Sequence, residues 1–168
     1  MTSPTSTSWR EELARRLDKR VAVVGVGNDM RGDDGVGPAI ARALQERVNG
    51  ACHGLTFDCG EVPENYLGPI LGAKADTILL CDAVDFGGEP GTVRVLEFAD
   101  NVPVPISTHN ASMGLLAKVL TVESGAEVLL LGIQPAGTQF GAPLSEAVHR
   151  SVVEVVNALS ELFERGTD

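Results

Sequence analysis

Val21-Ala22-Val23-Val24-Gly25-Val26-Gly27-Asn28-Asp29-Met30-Arg31-Gly32-Asp33-Asp34-Gly35-Val36-Gly37-Pro38 is the stretch that decides how the rest of the chain is read. Val21 to Gly27 is an apolar, β-branched run broken only by glycine, the pattern of a strand covered on both faces. Pro38 has no backbone donor and is tolerated only in the first turn of a helix, so a helix begins shortly before it. Asp33 and Asp34 therefore stand beyond the carboxyl end of a central strand, at the mouth of a helix. In open α/β sheets, ligands bind in the crevice past such ends.

Working outward, strand and helix patterns alternate. Trp9, Leu13 and Leu17 recur at four-residue spacing, which predicts a short amphipathic helix within Trp9 to Arg20. Val36, Ile40, Ala43, Leu44 and Val48 continue the helix of the opening stretch to a stop at Asn49-Gly50. Leu55 to Cys59 reads as a strand, and Pro63 to Leu71 as a short helix closed by Gly72. Thr77 to Cys81 reads as a second buried strand ending in Asp82. After a turn through Gly87 to Gly91, Thr92 to Leu96 alternates as an edge strand, and Asn101 to Pro105 is a loop. A helix over Asn110 to Val122 carries Met113, Leu116, Ala117 and Leu120 on one side. Glu127 to Ile133 is another buried strand. A loop over Pro135 to Pro143 leads to a final helix, Leu144 to Glu164, with Val148, Val152, Val155 or Val156, and Leu159 facing inward. This alternation predicts a three-layer α/β/α sandwich with a mostly parallel central sheet and an antiparallel edge strand.

The chain has 168 residues, 43% of them hydrophobic, enough for one domain with a real core. The expected organisation is an N-terminal extension over residues 1–20, partly disordered with a short helix, and a single domain over residues 21–168. No apolar run approaches the roughly 18 residues of a membrane span. The polar start, Met1 to Ser8, precedes a charged segment, unlike a secretory leader, so the expected location is the cytoplasm. A net charge of −10 disfavours nucleic acid and anionic membranes as partners, because both attract basic patches. Cys52, Cys59 and Cys81 lack metal-knuckle spacing and are odd in number, so they read as reduced thiols in or near the core.

The chemistry-bearing residues gather at strand ends. Asp34 follows the first central strand, Asp82 ends the second, and His109 stands just before a helix. Two carboxylates and an imidazole converging above the sheet would suit a divalent zinc, nickel, iron or manganese ion better than copper(I). Structural roles compete with that reading: either acid of the pair could cap its helix, Asp82 could cap the following turn, and His109 could cap its own helix. A dinucleotide site is the other candidate, since strand, Gly-x-Gly and helix is how a Rossmann unit begins. It fails because the third glycine position is Met30 and because Asp33 and Asp34 would repel a pyrophosphate at the helix end. Asp58 stands about where a ribose-binding acid would be, which does not restore the phosphate site.

The same residues carry a resemblance. Gly25-Val-Gly-Asn28 with Gly32-Asp-Asp-Gly-Val-Gly-Pro38, Glu64-Asn65, Asp82-Ala-Val-Asp85 with Pro90-Gly91, Ser107-Thr-His-Asn110 and Leu131-Gly-Ile-Gln-Pro135 resemble the nickel-iron hydrogenase maturation endopeptidases. Within that family, the chain is most similar to the branch that processes the large subunit of the formate hydrogenlyase hydrogenase. The motifs fall in order across residues 21–135. The stretch before Val21 departs from the family, whose members begin almost directly with the first strand.

The resemblance implies an endopeptidase that removes the C-terminal extension of a nickel-iron hydrogenase large-subunit precursor after nickel insertion. It implies Asp34, Asp82 and His109 as both catalytic and metal-binding residues, with Asp33 as a capping or supporting neighbour. The nickel would be the one held by the precursor's cysteines, and zinc or cadmium could substitute in vitro. The expected partner is the nickel-loaded precursor, met by a monomer. No serine or cysteine stands out as a nucleophile with a base beside it, so hydrolysis would rely on a metal that polarises the scissile carbonyl or lowers the pKa of bound water. A nickel-binding maturation chaperone without proteolysis would use the same ligands and is the alternative. Around the site, Asn28 suits a turn, or a contact to the substrate chain. Thr108 and Asn110 could orient His109. Gln134 suits either the cleft or a loop role, and His53 and His149 read as exposed.

Overall fold

The computed structural model describes residues 8–47, 54–98 and 110–165. Their helices are α1 (Trp9–Arg16), α2 (Val36–Arg47), α3 (Leu67–Gly72), α4 (Asn110–Ser124) and α5 (Glu146–Arg165); the strands are β1 (Val21–Gly25), β2 (Gly54–Asp58), β3 (Thr77–Ala83), β4 (Val93–Glu97) and β5 (Glu127–Ile133). The strands form one sheet in the order β2-β1-β3-β5-β4. All neighbours are parallel except β4 against β5. The expected sandwich, with its antiparallel edge strand, is the observed fold.

Side-chain alternation along the strands divides the core in two. Val21, Val23, Leu79, Cys81, Leu129 and Leu131 point to the face covered by α1, α2 and α5. Ala22, Val24, Ile78, Leu80, Val128 and Leu130 point to the face covered by α3 and α4. The helical residues expected inside, Met113, Leu116, Ala117 and Leu120 on α4 and Val148, Val152, Val155, Val156 and Leu159 on α5, are all buried.

Boundaries differ from the sequence reading where a cap or a register sets them. α1 ends at Arg16, because Leu17 leaves helical geometry while its N–H still bonds Leu13. Both leucines are buried in the α2/α5 face of the core, so the helix ahead of β1 is an integral layer. Arg16, also paired with Glu12 one turn earlier on α1, fastens the helix to the sheet through ion pairs with Glu97 on β4 and Glu127 on β5. β3 continues through Asp82 to Ala83, since it pairs with β5 as far as Ala83 and Ile133. α5 starts at Glu146, capped by the Ser145 side chain, which accepts from the Val148 N–H. The expected stop at Asn49-Gly50, the loop over Asn101 to Pro105, Cys52 and His53 lie outside the described residues. Cys59 and Cys81 are free and buried, and His149 is exposed, as expected.

Candidate active site

The chain leaves β1 towards β2 on one side and β3 towards β5 on the other, so the winding reverses between β1 and β3. Such a reversal opens a crevice at the carboxyl ends of the two strands. Asp34 lies in the 3-10 turn Gly32–Gly35 that leads into α2, and Asp82 lies on β3. Both are almost fully buried, at 3% and 1% exposure.

Backbone geometry explains how the turn comes so close to β3. Gly37, in the first turn of α2, sits where a Cβ would lie 2.3 Å from the carbonyl oxygens of both Cys81 and Val26. Gly27 has φ +146°, and a Cβ there would lie 1.9 Å from the Asp34 carbonyl oxygen. Real Cβ atoms cannot make such contacts, so only glycine lets the turn settle onto the strand ends. These glycines are scaffold, and no phosphate cradle is needed to account for them.

The two acids of the opening stretch have separate tasks. Asp34 Oδ2 accepts from the Asn28 N–H at 3.0 Å, and the Asn28 side chain accepts from the Met30 N–H at 2.9 Å, so Asn28 is the turn residue. Asp33 turns to the loop after β5. Its Oδ2 accepts from the Ala136 N–H at 2.8 Å, the Gly137 N–H at 3.3 Å and the Ser145 hydroxyl at 2.9 Å; its Oδ1 accepts from the Ser145 N–H at 2.7 Å. Asp33 is thus a clamp that holds this loop and the cap of α5 against the turn bearing Asp34.

Asp82 Oδ1 accepts from the Ala83 N–H at 2.8 Å. Burial pushes the Asp82 carboxyl up to about 8, and the nearby charge of Asp34 adds to the rise against the Ala83 hydrogen bond. Two buried carboxyl groups side by side offer oxygen donors that suit a divalent cation, whose charge offsets the repulsion between them. Oxygen donors of this kind fit nickel, zinc or cadmium once a nitrogen donor joins them. Among the described residues, no three His, Cys, Asp or Glu side chains gather as a metal cluster. The third expected residue, His109, lies outside the described residues, with Ser107 and Thr108.

Neither described thiol is a candidate nucleophile. Burial pushes Cys59 up to about 12, with Asp58 adding to it, and pushes Cys81 higher still, with Asp82 adding. Cys81 also packs into the α2 face of the sheet, away from the next side chain, Asp82.

Gln134 resolves to the loop role. Its Oε1 accepts from the N–H groups of Phe86 and Gly88 at 2.9 and 3.2 Å, and its Nε2 donates to Asp85 Oδ1 at 3.0 Å. It organises the loop after β3, and its hydrogen bond holds the Asp85 carboxyl below the usual range. Arg42 is a residue the sequence reading missed. Its guanidinium donates to Asp29 and Asp58, at 2.7 Å each, and so ties the turn after β1 to the end of β2. No spacing rule links positions 29, 42 and 58. The same bridge occupies Asp58, which otherwise stood where a ribose-binding acid would be.

Comparison with known proteins places the chain in a family. The family model HycI, hydrogenase maturation protease, matches residues 38–162, a span that holds Asp82 and His109 and begins just after Asp34. The hydrogenase 3 maturation protease of Escherichia coli K12 is 33% identical over 135 residues, covering 80% of this chain and 85% of that protein. The crystal structure of the [NiFe] hydrogenase maturation protease HycI from Thermococcus kodakarensis superposes with a TM-score of 0.82 at 30% identity, over 90% of this chain and 97% of that one. The solution structure of the endopeptidase HycI from E. coli gives 0.74 at 31% identity, over 84% and 89%. The chain therefore belongs to the hydrogenase maturation proteases, on the HycI branch that its motifs indicate.

Proposed function

We propose that the chain is an endopeptidase that removes the C-terminal extension of a nickel-iron hydrogenase large-subunit precursor once nickel has been inserted. The nickel arrives with the substrate, held by the precursor's cysteines, and Asp34, Asp82 and His109 complete its coordination. The observation that carries this reading is the pair of buried carboxyl groups at the winding reversal, one of them raised towards neutrality by burial and by the other. An apo-protein that disfavours a second charge in this crevice is poised to accept a cation.

The placement of α4 supports His109 as the third ligand. α4 has 15 residues, about 22 Å of helix, and it runs into the seven-residue β5, about 23 Å of strand, through only Gly125 and Ala126. It therefore spans the sheet, and its first residue, Asn110, lies at the end where Asp82 stands. The metal, when bound, supplies Lewis-acid polarisation of the scissile carbonyl or of a water molecule. The protein's own part is to position that ion with two carboxylates fixed by Asn28 and Ala83 and to keep the crevice shielded. Zinc or cadmium can fill the same donor set in vitro. The proposed state is a monomer and the proposed location the cytoplasm, as the sequence reading expects. No helix among the described residues is long and apolar enough to cross a membrane.

The test is processing of nickel-loaded precursor, followed by intact mass. Wild-type protein is expected to release the C-terminal peptide, and nickel-free precursor is expected to stay whole. Asp34→Asn, Asp82→Asn and His109→Ala should each slow release by at least about 100-fold, since losing even a group that only supports a metal ligand costs about 10–100-fold. Undiminished processing by all three variants would refute the site. Tight binding of loaded precursor without any cleavage would favour the non-proteolytic chaperone.

A further inference from the structure

We infer that Met30, Arg31 and Phe140 form the docking surface for the precursor segment beside the cleavage point, taking a bulky apolar side chain and an adjacent carboxylate. This rests on the proposed peptidase activity and adds what selects its substrate. Met30 and Phe140 are large apolar residues at 57% and 68% exposure. They come from two loops at the crevice end of the sheet, the turn after β1 and the loop after β5.

Exposed apolar side chains on loose loop tips mean little, but these two loops are stapled together. The Gly141 N–H donates to the Met30 carbonyl at 2.7 Å, the Gly32 N–H to Ala142 at 3.0 Å and the Asp33 N–H to Gly137 at 3.0 Å. The Asp33 carboxylate adds four bonds from the other side. A rigid scaffold that keeps apolar groups in water carries a cost which a docking partner removes. The surface also adjoins the proposed active site, since the Asp34 N–H donates to the Arg31 carbonyl at 3.1 Å.

Arg31 specifies the polar part of the partner. It is exposed, and its guanidinium stands 5.8 Å from the centre of the Phe140 ring. Among the described residues no ion pair engages it. A guanidinium held beside an aromatic ring keeps its N–H fork, the group that receives a carboxylate in two parallel hydrogen bonds. In a chain of net charge −10, an arginine with no ion-pair partner among the described residues, beside the cleavage crevice, selects an acidic group that the rest of the surface repels.

The experiment measures calorimetric affinity for nickel-loaded precursor, and KM and kcat for its processing, in Phe140→Ala, Arg31→Glu and Arg31→Lys. Phe140→Ala and Arg31→Glu are expected to raise both Kd and KM about tenfold or more, with kcat changed less than about twofold. Arg31→Lys should recover part of the loss, because it keeps the charge without the fork. Val122→Ser, at an exposed apolar position on the outer side of α4, should change nothing. Thermal melting confirms that each variant is folded. Unchanged Kd and KM in both disruptive variants overturn the docking surface, as does a fall in kcat with KM intact. Wild-type protein that binds precursor in an Arg31- and Phe140-dependent way but never cleaves it refutes the peptidase reading and leaves the docking surface standing.

Discussion

Asp34 and Asp82 share one buried crevice, and the charge of Asp34, added to the larger effect of burial, lifts the Asp82 carboxyl to about 8. The relationship exists because Gly37 and Gly27 let the turn after β1 lie directly on the strand ends. Two acids 48 positions apart in sequence thereby become one electrostatic unit.

Stability should fall as pH rises through the neutral range. The unfolded chain titrates this carboxyl near 3.8 and the folded chain near 8. Below 3.8 both states hold the proton; between the two values only the folded state holds it, so each rise in pH favours unfolding; above 8 the penalty is constant. Asp82→Asn removes the titration and is expected to flatten the profile. Its melting temperature should exceed that of metal-free wild type at pH 8, by an amount equivalent to a few kcal/mol, and approach it at pH 4. Parallel thermal melts across pH 4–9 decide it, and a wild-type profile as flat as the variant's would contradict the burial argument.

Cation binding to the same pair should release a proton. Cadmium or zinc requires Asp82 ionised, so affinity should climb with pH up to about 8 and level off beyond it. Calorimetry in buffers of different ionisation enthalpy counts the proton directly, expected near one at pH 7. Asp82→Asn should abolish the release along with most of the affinity.

Asp33 is expected to matter for stability and for the loop after β5. Asp33→Ala removes a buried acceptor for four hydrogen bonds, from the exposed Ala136 and Gly137 and the half-buried Ser145. The cost should be about 2–4 kcal/mol, lowering the melting temperature on the order of 10 °C. Hydrogen exchange should then rise at residues 136–145 first.

The helix ahead of β1 should prove structural. Leu13 is fully buried against the core shared by α2 and α5, so Leu13→Ala should cost about 2–5 kcal/mol, the range for emptying a leucine site. Exposed Glu11 on the same helix should tolerate alanine within about 0.5 kcal/mol. Equal effects at the two positions in a denaturant titration would show that α1 does not pack as described.

Much of this was legible from residue patterns. The buried strands at Val21, Thr77 and Glu127 announce themselves because a parallel strand covered on both faces must be apolar throughout. The helix start at Pro38, the edge character of β4 and the inward residues of α4 and α5 follow from equally local rules. Boundaries were less legible: Asp82 belongs to β3 because β5 pairs with it that far, and α5 begins late because Ser145 caps it. Those are facts about partners. Asp33 and Arg42 were hardest to read, since an acid among glycines and an arginine on a helix carry no mark of what they will hold.

The opening stretch by itself determined a strand, a glycine-dependent turn and a helix, because backbone sterics and apolar periodicity act over a few residues. With Asp82 and His109 in motif order, it also determined the family. Only the tertiary structure decided that Asp34 faces Asp82 while Asp33 faces the loop after β5. Neighbouring acids leave the chain in different directions, and what each meets depends on elements more than forty residues away. The raised pKa of Asp82 is likewise a property of the assembled crevice, since burial and a second charge exist for that carboxyl only once β1 and β3 lie side by side.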